Sequence, residues 1–309
     1  MSFDLRELQT AVAGHGAVVR LLVTRVAGSV PRGAGTSMLV WSDGQSGTIG
    51  GGELEFRAIA ESRDMLATGR SRMHQTLPLG PALGQCCGGS VTLVWEAFDA
   101  STLPRDFPYV RPLNGQTEIP AGVARKARRI APGSPPLTID GWLIEAETTA
   151  RQPLWIYGAG HVGRALVDVL HPLPDYAMTW VDTTANRFPD AIPDTVTPVV
   201  ATDPALMVRH APANAAHLIL TYSHDLDLRL CHVLLNHRFA SVGLIGSASK
   251  WARFRSRLTA LGHAPDQIAR ITCPIGDPAL GKHPQAIAIG VASRLLQAGQ
   301  SAIRKDKSA

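Results

Sequence analysis

The chain has no apolar run of the roughly 18 residues that a membrane-spanning helix needs, so no span is expected. Its opening segment, MSFDLRELQT, carries acidic side chains and lacks an apolar core. No secretory leader is therefore expected, and the cytoplasm is the expected location. Cysteine is scarce, with four in 309 residues: Cys86, Cys87, Cys231 and Cys273. None are spaced CxxC, which argues against a structural zinc site, and a reducing compartment would keep them as thiols. Cys86 and Cys87 are adjacent, and neighbouring Cα atoms about 3.8 Å apart are too close for a relaxed disulfide. No internal repeat is apparent, which sets solenoids aside.

What is present is a globular balance, 45% hydrophobic and 18% charged, in a chain long enough for two domains. The net charge of +5 suits an anionic ligand or an acidic partner. Nucleic acid is not expected, because the one dense basic run, Arg125-Lys126-Ala127-Arg128-Arg129, has no interleaved aromatics and reads as a solvated loop.

Strand-like segments at 17–24, 37–41 and 90–98, with a helical pattern from Glu53 to Leu66 ending near Gly69, imply an N-terminal α/β domain. A Pro-, Gly- and Arg-rich stretch over 99–138 reads as a mobile loop or linker, and GWLIEAE at 141–147 rejoins the first domain. From about residue 151 the rhythm changes. Short apolar strands at 154–157, 178–181, 197–200, 217–222 and 242–246 alternate with helical segments, and a final helix covers about 284–297. That alternation predicts a parallel sheet covered on both faces. The expected architecture is α/β: a smaller N-terminal domain over 1–150 and a Rossmann-like, doubly wound domain over 151–309.

Gly158-Ala159-Gly160-His161-Val162-Gly163 fits G-x-G-x-x-G in context, after a strand, opening a helix, with Asp182 at the end of the next strand. Gly158 permits the turn, Gly160 lets backbone approach a phosphate, and Gly163 lets helix and strand pack. The helix N-terminus offers free N–H groups and a positive dipole end. His161 would sit beside a bound phosphate or cap the helix. Asp182 would hold a ribose or other diol, or cap the strand end. Thr48-Ile49-Gly50-Gly51-Gly52-Glu53 is a second glycine turn, in which Gly51 and Gly52 could receive an anionic group. Glu53 is a proton carrier or, preferably, a favourable first-turn charge.

Gly84-Gln85-Cys86-Cys87-Gly88-Gly89 sets two thiols between glycines before a strand. Backbone N–H groups there favour a thiolate, a soft ligand suited to a sulfur-rich metal or to carrying sulfur, with Cys87 the nearer candidate. The alternative is two small buried hydrophobes. Cys231 and Cys273 read as structural.

Together with Gly28-Ser29-Val30-Pro31-Arg32-Gly33 and Cys273-Pro274-Ile275-Gly276, these segments make the chain resemble the xanthine dehydrogenase accessory proteins of the XdhC/CoxI family along nearly its whole length. The resemblance implies a chaperone rather than an enzyme. It would bind the molybdenum cofactor (molybdopterin), protect it, let a cysteine desulfurase sulfurate it, and pass it from the molybdenum insertion machinery to the xanthine dehydrogenase molybdenum subunit. A homodimer is the expected assembly. The family usually has Arg two residues after the acid; here Thr184 stands there and Arg187 follows. Two other readings compete: an NAD(P)-dependent oxidoreductase, which lacks an evident catalytic set, and a pure scaffold, which would not need two anion sites.

Overall fold

The computed structural model describes residues 3–80, 88–148 and 151–306, the last seven of these as backbone only. It divides into two compact units, Met1–Ala150 and Arg151–Ala309.

The first unit contains α1 (Leu5–His15), β1 (Val18–Ala27), β2 (Ser37–Val40), β3 (Gln45–Gly47), α2 (Gly52–Thr68), β4 (Arg72–Pro78) and β5 (Ser90–Phe98). These are followed by β6 (Tyr109–Pro112), α3 (Ala121–Ala127), β7 (Leu137–Ile139) and β8 (Trp142–Glu145). Five strands form an antiparallel sheet in the order β3-β2-β1-β5-β4, and three form a second in the order β6-β8-β7. Period-two alternation decides what each face buries. Val19, Leu21 and Val23 of β1 pack with Leu54, Ala58 and Met65 of α2. Helix α2 stops at Gly69, whose left-handed φ of 71° closes it with an N–H to the Met65 carbonyl. On the opposite face Leu22 and Val94 meet Leu143 of β8.

Beside that contact lies a buried charge network. Arg20 grips Glu145 with two bonds of 2.9 and 2.8 Å. Arg111 bonds both Glu145 and Glu96, and Arg72 reaches Glu96 at 2.9 Å. Burial works to raise both carboxyls, but the neighbouring guanidinium groups outweigh it. Arg111 and Arg72 hold Glu96 low, and Arg20 and Arg111 bring Glu145 to about 2.

The stretch over 99–138, expected as a mobile loop or linker, carries secondary structure. That stretch supplies β6, α3 and β7. Val123 and Ala127 of α3 pack on Trp142 and Ile144 of β8. Prolines and glycines fragment the pattern into pieces too short for periodicity to register. The basic run likewise begins on a helix: Arg125 and Lys126 are exposed in the last turn of α3, where cations suit the dipole.

The second unit contains β9 (Gln152–Tyr157), α4 (His161–Leu170), β10 (Tyr176–Asp182), β11 (Val196–Val200), α5 (Pro204–Met207) and β12 (Ala216–Ile219). The chain continues through α6 (His224–Leu235), β13 (Ser241–Leu244), α7 (Ala248–Ala260), α8 (Pro265–Ile268), β14 (Ile271–Thr272) and α9 (Pro284–Asp306). The sheet is parallel, in the order β11-β10-β9-β12-β13-β14. Its two faces bury separate cores. Leu154 and Ile156 join Leu166 and Leu170 of α4 and Val291 of α9, while Trp155 and Tyr157 join Leu230 and Leu234 of α6 and Phe254 of α7. This is the doubly wound architecture. Among the described residues no helix is long and apolar enough to cross a membrane.

Candidate functional site

In a parallel sheet all the strands end on one edge, and the loops leaving β9, β10 and β12 meet there. The turn after β9 is shaped by two glycines that admit no side chain. A Cβ on Gly158, whose φ is +124°, would lie 2.4 Å from the Leu220 carbonyl oxygen, and one on Gly163 would lie 2.0 Å from that of Gly158. Gly160 is different: nothing lies within 4 Å of its Cβ position. It forms the N-cap of α4 with no side chain bonded to the helix end, and no acidic residue occupies the first turn. That end therefore faces outward with unsatisfied donors and a positive dipole.

It opens onto a cleft of about 640 Å³. His161 and Arg164 of α4 line one side; Thr183, Thr184, Asn186 and Arg187 line the β10 side; Tyr222, after β12, closes the rim. Arg164 is held by the carbonyls of Ala159 (3.2 Å) and Arg187 (2.7 Å). Asp182, the acid at the end of β10, is only 3% exposed. One of its oxygens accepts the Ala159 N–H of the glycine turn at 2.5 Å, and the other accepts the Thr183 N–H at 2.6 Å. Arg187 places Nε 2.7 Å from the same second oxygen, out of line for a hydrogen bond, so charge holds the pair. The Arg187 guanidinium lies over the Tyr222 ring, 4.4 Å from its centroid. Asp182 thus clamps the turn, and its carboxylate is neutralised from within. Arg187 comes to the cleft from a short 3-10 turn at Ala185–Arg187.

The loops after β12, β13 and β14 are tied by a second network. Asp227, fully buried, accepts the Thr221 N–H (2.9 Å) and hydroxyl (2.7 Å), and Lys250 at 2.5 Å. Lys250 also donates to the Ile245 carbonyl at 3.1 Å. Cys273 lies beside this network, its Sγ 3.8 Å from the Gly246 carbonyl oxygen. Burial raises that thiol to about 11 despite Lys250, and Cys231 is fully buried and also raised by burial.

In the first unit, three glycine segments distant in sequence meet at one end of the antiparallel sheet. A Cβ on Gly89 would lie 2.3 Å from the Ser29 carbonyl oxygen, and one on Gly50 would lie 2.6 Å from Pro31. The turn expected to receive an outside anion through Gly51 and Gly52 already holds a carboxylate. Glu55 accepts the Gly51 N–H (3.0 Å), the Ile49 N–H (2.9 Å) and the Thr48 hydroxyl (2.6 Å). Burial would raise its carboxyl, but these bonds hold it below the ordinary value. Glu53 is exposed and pairs with Arg57 at 2.7 Å. Gly88 and Gly89 are described, whereas Cys86 and Cys87 lie outside the described residues.

Sequence reasoning overlooked Arg164, Tyr222 and Glu55. Arg164 stands four residues after Gly160, one helical turn along the same face, so its spacing was a usable signal. Tyr222 is the last residue of the predicted strand 217–222, at the carboxyl end where ligand loops gather.

A parallel sheet with a glycine turn on its carboxyl edge and a helix N-terminus opening beside it define a Rossmann-type domain. The chain belongs to the XdhC and CoxI family. Residues 11–77 match the XdhC and CoxI family model, and residues 154–295 match the model of the XdhC Rossmann domain. A protein of Bacillus halodurans described as a xanthine dehydrogenase shares the fold, with a TM-score of 0.73 and 20% identity over 97% of this chain and 96% of that one. The uncharacterised protein YqeB of Escherichia coli K12 is 25% identical over 280 residues, which are 89% of this chain. This chain spans 42% of the length of that relative.

Proposed function

We propose that this protein is an accessory chaperone for a xanthine dehydrogenase: it holds molybdenum cofactor as cargo, shields it, presents it for sulfuration by a cysteine desulfurase, and releases it to the molybdenum subunit. One observation carries the reading. The α4 N-terminus opens, uncapped, onto a cleft lined by Arg164, Arg187 and His161, and the Asp182 carboxylate behind it is already paired with Arg187. A pterin cargo ends in a phosphate ester, and helix-end N–H groups with Arg164, Arg187 and His161 suit that group. The side chains here bind and orient; they make no covalent step.

The NAD(P) alternative asks Asp182 to accept a ribose diol. Its oxygens are taken by Ala159, Thr183 and Arg187, so a diol would have to displace one of them. The test is to purify the protein from a cofactor-making host, count molybdenum, and oxidise the cargo to its fluorescent pterin product. Near one pterin per chain, together with activation of cofactor-free xanthine dehydrogenase, is the expected result. Far less pterin with tight NADH binding would favour the oxidoreductase.

A further inference from the structure

We infer that Tyr222 is the ring-binding residue of the cleft: its free face stacks a planar, fused heteroaromatic group on the same ligand whose anionic end meets α4. This rests on the reading of the cleft given above. Tyr222 lines the cleft with 64% of its surface exposed, where an aromatic side chain gains nothing from water. Arg187 covers one face. The exposure leaves the other open.

The ring is positioned before any ligand arrives. Its neighbour Thr221 is pinned by N–H and hydroxyl to Asp227, which Lys250 anchors to the loop after β13. Ser223, on the other side, caps α6 through the Leu226 N–H at 3.4 Å. Arg187 is in turn fixed by Asp182, so the arginine, the ring and the glycine turn form one braced assembly. A rigid aromatic backed by a guanidinium costs little entropy on binding, and every fused heterocycle offers it a matching face. The ligand class is therefore a phosphate ester carrying a planar heterocycle, not a bare phosphorylated sugar or an inorganic anion.

The test uses the whole chain and two probes with the same anionic end. Guanosine 5′-monophosphate carries a fused ring; ribose 5-phosphate does not. Wild type should bind the first about tenfold more tightly, the scale of one base–aromatic stack. Tyr222→Ala should erase that difference and leave ribose 5-phosphate unchanged. Tyr222→Phe should keep the preference, and Tyr222→Leu, which keeps bulk without a π face, should lose it. The inference is overturned if Tyr222→Ala and Tyr222→Leu retain the preference, or if both probes weaken equally. If wild type binds neither probe, the cleft itself is not an anion site and the reading beneath this inference falls with it.

Discussion

Replacing Gly160 by valine separates binding from folding. Gly160 sits at φ −75° and ψ −173°, a region valine adopts freely, and nothing lies within 4 Å of the new Cβ. The substitution also stiffens the unfolded chain, so stability should stay within about 1 kcal/mol of wild type or rise slightly. The side chain must, however, occupy the approach to the helix end. A charge-assisted hydrogen bond contributes about 1.5–3 kcal/mol, so losing one should weaken cargo or phosphate binding by roughly tenfold to a hundredfold. Gly163→Ala is the counterpart. Its Cβ would overlap the Gly158 carbonyl at 2.0 Å, so strand and helix must part, with a loss of several kcal/mol expected. Calorimetry of binding and thermal melts on both variants decide the matter. A Gly160→Val protein that melts like wild type and binds as tightly would refute the assignment of this turn to a ligand; a Gly163→Ala protein of unchanged stability would refute the packing argument.

The buried network of the first unit predicts an acid-labile sheet. Glu145 is held at about 2, below its unfolded value, so its stabilisation is present above the unfolded pKa near 4.5 and is lost as pH falls toward 2. Acid titration followed by circular dichroism should show that loss; Glu145→Gln should destabilise the protein by about 3–5 kcal/mol at neutral pH by stranding Arg20, while Arg111 keeps Glu96, and a variant as stable as wild type would show the network to be dispensable. For the cysteine pair, Cys86→Ser and Cys87→Ser should each keep the fold and lower molybdenum per chain, because a hydroxyl stays protonated and is a hard ligand. Normal activation of cofactor-free xanthine dehydrogenase by both variants and by the double variant would assign the pair to packing.

The Rossmann-like unit was legible because its strands, helices and glycine turn each carry a local signature. Helix α4 spans His161–Leu170, the segment that the apolar period marks out. The first unit was legible only in part. Its long strands β1 and β5 announce themselves, but β6, α3 and β7 are short and gain their apolar contacts from Trp142 and Ile144, which no local pattern reveals. The site divides similarly. A turn motif names Gly158, Gly160 and Gly163, whereas Tyr222 and Arg187 come to the cleft from separate loops and meet only in three dimensions. In the Thr48–Gly52 turn a glycine run advertises free donors, but the Glu55 carboxylate, one turn into the following helix, takes the Gly51 N–H, which no local pattern reveals.

The Arg20–Glu145 pair bears on how the chain is made. Its partners are 125 residues apart in sequence, and Glu96 waits for Arg111, 15 residues further along. A nascent chain that has emerged only through β5 has Arg72 for Glu96, but neither Glu145 for Arg20 nor Arg111 for Glu96. The segment matched as the family's first module, residues 11–77, thus holds Arg20 without the carboxylate that pairs with it. Synthesis must run past residue 145 before Arg20 can meet Glu145, and the charge network of this half of the protein is completed by the last strand it receives.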